Sequence, residues 1–505
     1  MKKIAKHILV LVLMAMTSLT MQAQEVSTTN LLEMAPYRHY INPAFEPITD
    51  GYLTLPAISH LQVYGGNNSL AMNSLIINKK INDDESKTMW TLNPESGVNL
   101  LDLFHKTTFA RAQAQVAIFG FGTRLFRNGG YFHFNIDANV DAGVGLPRDL
   151  FRFALGGMTD LNGVNTFDLK ALEMSAQAYL SLSIGYSRQI NDHWVWGMSV
   201  KLLDGIAHAS MKQDNLDLIA SPDAWTLKGH GKMTMAGPFD SYPTNISADA
   251  ITNWINGSPL DFKNVKKLLT PSGIGLAFDA GFTYKPVKYV KLSLALTDIG
   301  AIGWLKSFNQ GYNINGTFDG VGSINYSDYV DETGKFNSQM LGDTLLGRLQ
   351  NVYKTALSSD GKKSSDAILS PLTMKLNAGV DAYFANGIIG LGVYSKTMLF
   401  NSKFYEEVTV GAAVRPASWF NLAVSYSILN GHSDNIGAAL GLRLGPLSVT
   451  LAADYIPMTY AQTPINNTTY PIPYKMKGVN VELGLGFVWG WRHNKSKPID
   501  LAQNL

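Results

Sequence analysis

The sequence predicts an all-β chain: a transmembrane antiparallel β-barrel of about 14 strands, with an N-terminal hatch or plug segment and short helices in its extracellular loops. Three observations carry this expectation. The 505 residues are 46% hydrophobic but only 16% charged, against about 25% charged in ordinary globular chains. Beyond the N-terminus there is no succession of uninterrupted apolar runs of about 20 residues, which excludes a helical membrane protein. Hydrophobicity instead alternates with period two through most of the chain, so a mean hydropathy of 0.00 averages two unlike faces.

The alternation is clearest where Phe132, Phe134, Ile136, Ala138, Val140 and Val144 interleave with His133, Asn135, Asp137, Asn139 and Asp141. Near the C-terminus Val479, Val481, Leu483, Leu485, Phe487 and Trp489 interleave with Asn480, Glu482, Gly484 and Gly486. Successive side chains of a strand point to opposite faces, so each segment has one greasy face and one small or polar face. A soluble β-sandwich also alternates, but its solvated faces carry lysine and glutamate, whereas these carry glycine and serine. Aromatics gather near strand ends, as at Trp194, Trp196, Tyr284, Tyr289, Trp304, Trp419, Tyr455, Trp489 and Trp491, as interfacial girdles require.

Residues 1–23 read as a secretory signal peptide: Lys2, Lys3 and Lys6, then apolar Ile8 to Met16, then a small-residue cleavage site at Ala23. Its three lysines account for more than the whole formal charge of +2, so the exported chain is near neutral and offers no case for nucleic acid. Absence of cysteine agrees with export. The expected location is integral in the outer membrane of a Gram-negative cell.

Spanning strands are expected near 52–65, 113–126, 130–145, 173–190 and 193–212, then 273–285, 288–302, 371–384, 388–399, 403–415, 419–429, 434–445, 446–458 and 478–490. Tight periplasmic turns are expected at 127–130, Asn191-Asp192, Pro286-Val287, Asn386-Gly387, Pro416-Ala417-Ser418 and Gly445-Pro446. Five strands followed by nine return the chain to the side it started from. The segment Trp225 to Met235 carries Lys228, His230 and Lys232 and reads as extracellular sheet rather than a spanning strand. The barrel is bounded at 51–491, with a periplasmic tail at 492–505.

The inward faces carry Asp137, Asp141, Lys201, Asp279, Lys291, Lys375, Asp381, Lys396, Arg415, Arg443, Asp454 and Glu482. Isolated charges in a narrow lumen are costly, so they should pair with one another or with a plug. They either line a permeation path or form a structural network. A plug is available in residues 24–50, a proline-punctuated segment without alternation around Asn42, Pro43, Ala44 and Phe45.

The Asn42-Pro43-Ala44 tripeptide ahead of such a barrel resembles FadL-type fatty-acid transporters and is similar to the PorV-type and PorP-type barrels of type IX secretion systems. Leu55-Pro56-Ala57, Gly65-Gly66-Asn67-Asn68-Ser69, Tyr284-Lys285-Pro286 and Leu296-Thr297-Asp298-Ile299-Gly300 look closer still to a domain-of-unknown-function subgroup of the FadL superfamily. The resemblance implies that Asn42, Pro43 and Ala44 belong to a hatch in the lumen.

Helices are expected at Pro147 to Leu155, in a run from Ser258-Pro259 through Leu269, and within 337–358, with a mobile loop tip at 358–367. No His-Glu-x-x-His, Gly-x-Ser-x-Gly, Walker loop or cysteine pair occurs. An enzyme, a cofactor and a metal site are therefore not expected, although Asn, His and Ser drawn from separate strands would escape a reading of spacing. Two functions fit. One is passive transport of a small hydrophobic or amphipathic molecule. The other is a non-transporting interaction or scaffold barrel holding a periplasmic or cell-surface protein. Outer-membrane lipid is a partner in both.

Overall fold

The computed structural model describes residues 27–490 except 55, 57–58, 70, 72–75, 81–85, 92–95, 126–128, 157–163, 222–223, 240, 244–245, 248–249, 251–252, 255–256, 258–269, 306, 320–329, 331–356, 364–366, 401–402, 430–431, 457–459, 466–467 and 474–476. The signal peptide and its Ala23 site, Trp491, the tail 492–505, the helix expected up to Leu269 and most of that in 337–358 lie outside the described residues.

Fourteen strands close on themselves, each antiparallel to its neighbours. β1 has two pieces, Gly51–Thr54 and Leu61–Asn67; β2 is Thr107–Arg124, β3 Tyr131–Pro147, β4 Glu173–Gln189 and β5 Trp194–Ala220. β6 is Gly273–Val287 and β7 Val290–Trp304, while β8 again has two pieces, Ile368–Pro371 and Met374–Phe384. β9 is Ile389–Phe400, β10 Lys403–Ala417, β11 Phe420–Leu429, β12 His432–Leu444, β13 Leu447–Ile456 and β14 Gly478–Trp489. Closure is made by β1 against β14, with Gly51 opposite Trp489 and Leu61 opposite Leu483. These are the strands expected from the alternation; several run longer, by eight residues at the end of β5, while β4, β11, β13 and β14 are slightly shorter.

Short turns share one end of the barrel with the start of β1 and the end of β14. Two of them differ from expectation. The reversals fall at Lys288-Tyr289 and Ser418-Trp419, while Pro286-Val287 and Pro416-Ala417 remain in strand, where register shifts follow Tyr284 and Val414. A strand end that bulges tolerates a proline lacking the ladder N–H.

The outer face is apolar in the wall itself: Ile184, Leu276, Val380, Leu391, Val424 and Val481 are all exposed. A closed barrel with that exterior spans a membrane. Trp194, Tyr289, Trp419 and Trp489 are exposed at the short-turn end, as a girdle requires. Trp304 and Tyr455 are instead buried. Each follows a left-handed residue or is one itself, Asp298 at φ 60° and Tyr455 at φ 63°, and such bulges invert the inside–outside parity of the residues beyond.

At the other end the wall continues upward on one side. The second half of β5 pairs with Ala224–Ala236, which pairs with Ser307–Asp319, which pairs with Leu357–Lys363. The segment Trp225 to Met235 is thus sheet outside the ring of fourteen. Leu357–Lys363 corrects the expectation of a mobile tip at 358–367 and of helix at 357–358: its backbone is paired with Gln310–Ile314 rather than free. A helix, α1, runs over Arg148–Gly156, close to the expected span. Its Phe153 packs 4.4 Å from the Trp225 ring, above the sheet cluster of Phe167, Leu216 and Leu218.

Candidate functional site in the plugged lumen

Ser27 to Asp50 lies inside the barrel. It makes two short 3-10 turns, Ser27–Leu31 and Arg38–Tyr40. Pro36, Pro43 and Pro47 cannot serve a ladder, so the segment folds as turns rather than as a further strand. Asn42 Oδ1 accepts the Ala44 N–H at 2.8 Å, an Asx turn that sets the Asn-Pro-Ala bend. Missing side chains on the wall make room for it. A Cβ on Gly197 would stand 2.3 Å from the Pro43 carbonyl, and one on Gly281 2.2 Å from Asn42 Oδ1. The expected quartet is brought together here: Asn42, Ala44 and Phe45 are buried, with Pro43 between them.

Polar contacts tie the segment to strands around the ring. Ser27 Oγ donates to Glu407 at 2.9 Å, Thr29 Oγ1 to Glu482 at 2.8 Å and Tyr40 OH to Asp137 at 2.8 Å. Thr28 Oγ1 donates to Asp454. From the wall, Asn377 Nδ2 donates to the Ile41 carbonyl at 3.0 Å and Arg415 Nη2 to that of Leu31 at 3.0 Å. Glu33 lies 3.2 Å from Lys291 and 3.6 Å from Arg415. Burial alone would raise the Glu33 pKa; Arg415, Lys291 and Arg38 outweigh it and hold the carboxyl well below the usual glutamate range. Burial, reinforced by the neighbouring His133 ring, pushes His39 well below an ordinary histidine.

The remaining expected charges pair as a narrow lumen demands. Lys291 also meets Asp381 at 3.0 Å. Lys201 bridges Asp279 at 2.9 Å and Asp298 at 2.6 Å, and Lys375 meets Asp298 at 3.1 Å. Asp141 takes Arg111 at 2.5 Å, and Lys396 Nζ donates to Ser27 Oγ at 3.3 Å. Arg443 stands apart from these groups. One residue from the strand end, it donates to the carbonyls of Gly445 and Gly490 at the rim, at 3.2 and 3.1 Å.

The family model described as a family of unknown function (DUF5723) matches residues 43–454. The chain belongs to that family. Within this DUF5723 barrel the match runs from Pro43, in the buried bend, to Asp454, the acceptor of Thr28. No match is found among curated proteins. Solved structures similar to it include the Pseudomonas putida toluene transporter TodX, at 8% identity and TM-score 0.35 over 90% of this chain and 94% of that one. The Ralstonia pickettii toluene transporter TbuX aligns at 9% and 0.38 over 90% and 94%. A Pseudomonas aeruginosa FadL homologue aligns at 9% and 0.37 over 94% and 99%. The last of these is a homologue of FadL, whose type the sequence resembles; scores at this level add nothing to what the strand pairing itself shows.

The DUF5723 lumen also holds charged groups that are not among those expected from the sequence, including Asp298, Arg111, Glu407 and Glu33. Asp298 sits in the bulge where β7 passes from the second piece of β8 to the first, so its parity is inverted. Arg111 lies on β2 ahead of the expected start at 113. Glu407 shares the odd parity of Arg415 on β10, eight residues upstream, and was legible. Glu33 lies on the segment that has no period.

One trio of the kind that sequence spacing hides is present. Ser199 of β5 lies 3.4 Å from His133 Nε2, and Asn135 Nδ2 lies 3.1 Å from His133 Nδ1. Asn135 Nδ2 also meets His39 Nε2 at 3.0 Å, while its Oδ1 accepts from Tyr52 at 2.9 Å. In that arrangement His133 Nδ1 accepts, so Nε2 carries the proton and cannot take one from Ser199. All three side chains are buried, and the trio works as a brace between β3, β5 and the plug.

Proposed function

We propose that this chain is an outer-membrane barrel that passes a small hydrophobic or amphipathic molecule, with Ser27 to Asp50 as the hatch that closes it. The observation that carries the reading is the nature of the obstruction. The lumen is filled by a discrete N-terminal segment held by hydrogen bonds and ion pairs, without a disulfide, rather than by side chains of the wall alone. Contacts of that kind break singly and re-form, so the obstruction can yield while the barrel stays closed by its own strand pairing. Nothing in the reading requires a catalytic step. In this reading the short turns, the start of β1 and the end of β14 face the periplasm, and the one-sided sheet faces outward.

A second reading is favoured by the same sheet. A wall raised on one side above the ring by Ala224–Ala236, Ser307–Asp319 and Leu357–Lys363 is a platform that a protein partner could grip. The barrel would then be a sealed scaffold.

Deleting residues 24–50 behind the intact signal separates the two. Transport predicts altered uptake of hydrophobic probes in the deletion strain and reduced uptake in the knockout. Unchanged uptake in both, with a partner recovered by crosslinking through the raised sheet, would leave the scaffold.

A further inference from the structure

Three methionines stand opposite one another where the ring of strands passes into the raised sheet. Met174 of β4 faces Met211 of β5, and Met211 faces Met233 of Ala224–Ala236. Directly opposed residues of antiparallel strands place their side chains on one face, with Cα atoms about 4.5–5.5 Å apart. The three thioethers therefore share a rung, and Met235 stands on the same face in the next one. Methionine is 18 of the 505 residues and is a helix former rather than a strand former, so neither composition nor propensity accounts for the row.

The surroundings decide what the row suits. Val144 and Gln310 bound the rung on either side. The next rung carries Ala176 and Ala209 beside Met235, and these short side chains leave space over which unbranched thioethers can fold. Neither rung, from β3 to Ser307–Asp319, holds a carboxylate, an imidazole or an ammonium group. Met211, Met233 and Met235 pack in one apolar cluster with Phe239, Tyr242 and Trp254. Met174, at the edge of the row, is 43% exposed. The sulfurs are thus reachable from one end and enclosed by apolar groups at the other.

We infer that Met174, Met211 and Met233 bind a single soft monovalent cation, copper(I), through their thioether sulfurs, with Met235 beside them. Thioethers are soft ligands that select copper(I), whereas calcium and magnesium require oxygen ligands and zinc favours thiolate, imidazole or carboxylate. A single positive charge is also less costly than a double one against apolar neighbours. Thioethers carry no proton, so binding displaces none. Methionines that merely filled a gap in the cluster would be replaceable by leucine without loss of any ligand, and this separates the two roles. The inference does not depend on whether the barrel transports anything.

The test uses the full-length barrel folded in detergent in chloride-free buffer, titrated calorimetrically with silver(I) as a redox-inert probe. Copper(I), kept reduced by ascorbate without oxygen, follows for X-ray absorption. Silver should occupy a single tight site, with the same affinity at about pH 5.5 and about pH 7.5, and excess zinc(II) or calcium(II) should not displace it. Bound copper should show sulfur neighbours. Met211→Leu should weaken binding, and the triple change of Met174, Met211 and Met233 to leucine should abolish the tight site while melting changes little. Met198→Leu, on the exposed outer wall, should bind as wild type does. The inference is overturned if no tight silver site forms, if zinc displaces silver, if affinity rises with pH, or if the triple variant binds as wild type does. Should the triple variant fail to fold, Met174→Leu at the exposed edge and the wild-type competition with zinc still decide it.

Discussion

Glu33 and Lys291 meet at 3.2 Å although 258 residues separate them in sequence. One belongs to the segment in the lumen, the other to the wall, and Arg415 reaches the same carboxylate at 3.6 Å. Glu33→Gln leaves Arg415 without its carboxylate, while Lys291 keeps Asp381. Removing one partner of a buried pair costs about 3–5 kcal/mol, and the retained Asp381 places this change near the lower bound. Faster proteolysis of the segment in a barrel whose own melting is less affected is the expected result.

Acidity acts on the same pair. The folded Glu33 carboxyl is held below its unfolded value of about 4.5, so the stability it contributes is complete above that value. It is lost progressively as pH falls from there towards the lower folded value. Protease protection of the segment should therefore decline below pH 4.5 in wild type, and this part of the decline should vanish in Glu33→Gln.

His39 sets a second, milder window. Its pKa lies well below 6.5 in the folded state, so the unfolded segment takes up a proton first. The seated segment should lose stability as pH falls below about 6.5, by at most about 1.4 kcal/mol per pH unit for this one group. His39→Gln should flatten the pH dependence between 6.5 and 5. An unchanged slope would show that His39 is not the group responsible.

Space on the wall is as necessary as charge. In Gly197→Ala the new methyl would meet the Pro43 carbonyl at 2.3 Å, a backbone atom that cannot swing aside. Overpacking of this sort costs about 1–3 kcal/mol and should loosen the Asn42–Phe45 bend without opening the barrel. Gly303→Ala, whose nearest neighbour would be 3.6 Å away, is the neutral control. Equal behaviour of the two in proteolysis would refute the close fit.

Asp298 makes two buried contacts, with Lys201 at 2.6 Å and Lys375 at 3.1 Å. Asp298→Asn should lower thermal stability by about 3–5 kcal/mol, chiefly through Lys375, because Lys201 retains Asp279. Adding Lys375→Met should restore part of the loss. A double variant as unstable as the single one would mean that the bulge, not the charge, is what matters.

The ring of strands was legible because lipid outside and polar groups inside impose a strict period of two, which Phe132 to Val144 displays without interruption. Legibility failed wherever the period slips. The bulge at Asp298 hid an acidic group and turned Trp304 inward; Tyr455 did the same at the end of β13. The raised sheet was only half visible, since Trp225 to Met235 alternates while Leu357–Lys363, with Asp360-Gly361-Lys362-Lys363, has the composition of a turn. In the plug the Asn42 bend could be read, but Glu33, Arg38 and His39 follow no repeat, and only the assembled lumen gives them their partners.

The plug also fixes an order of events. Ser27 and Thr28 meet Asp454, and Thr29 meets Glu482, so the earliest described residues find their places on the last two strands. Those sites do not exist until β13 and β14 have joined the ring and β14 has closed on β1. Contacts spanning more than four hundred residues are the slowest a chain makes. A segment that precedes every strand in the chain therefore cannot complete its contacts before the last two strands are in place.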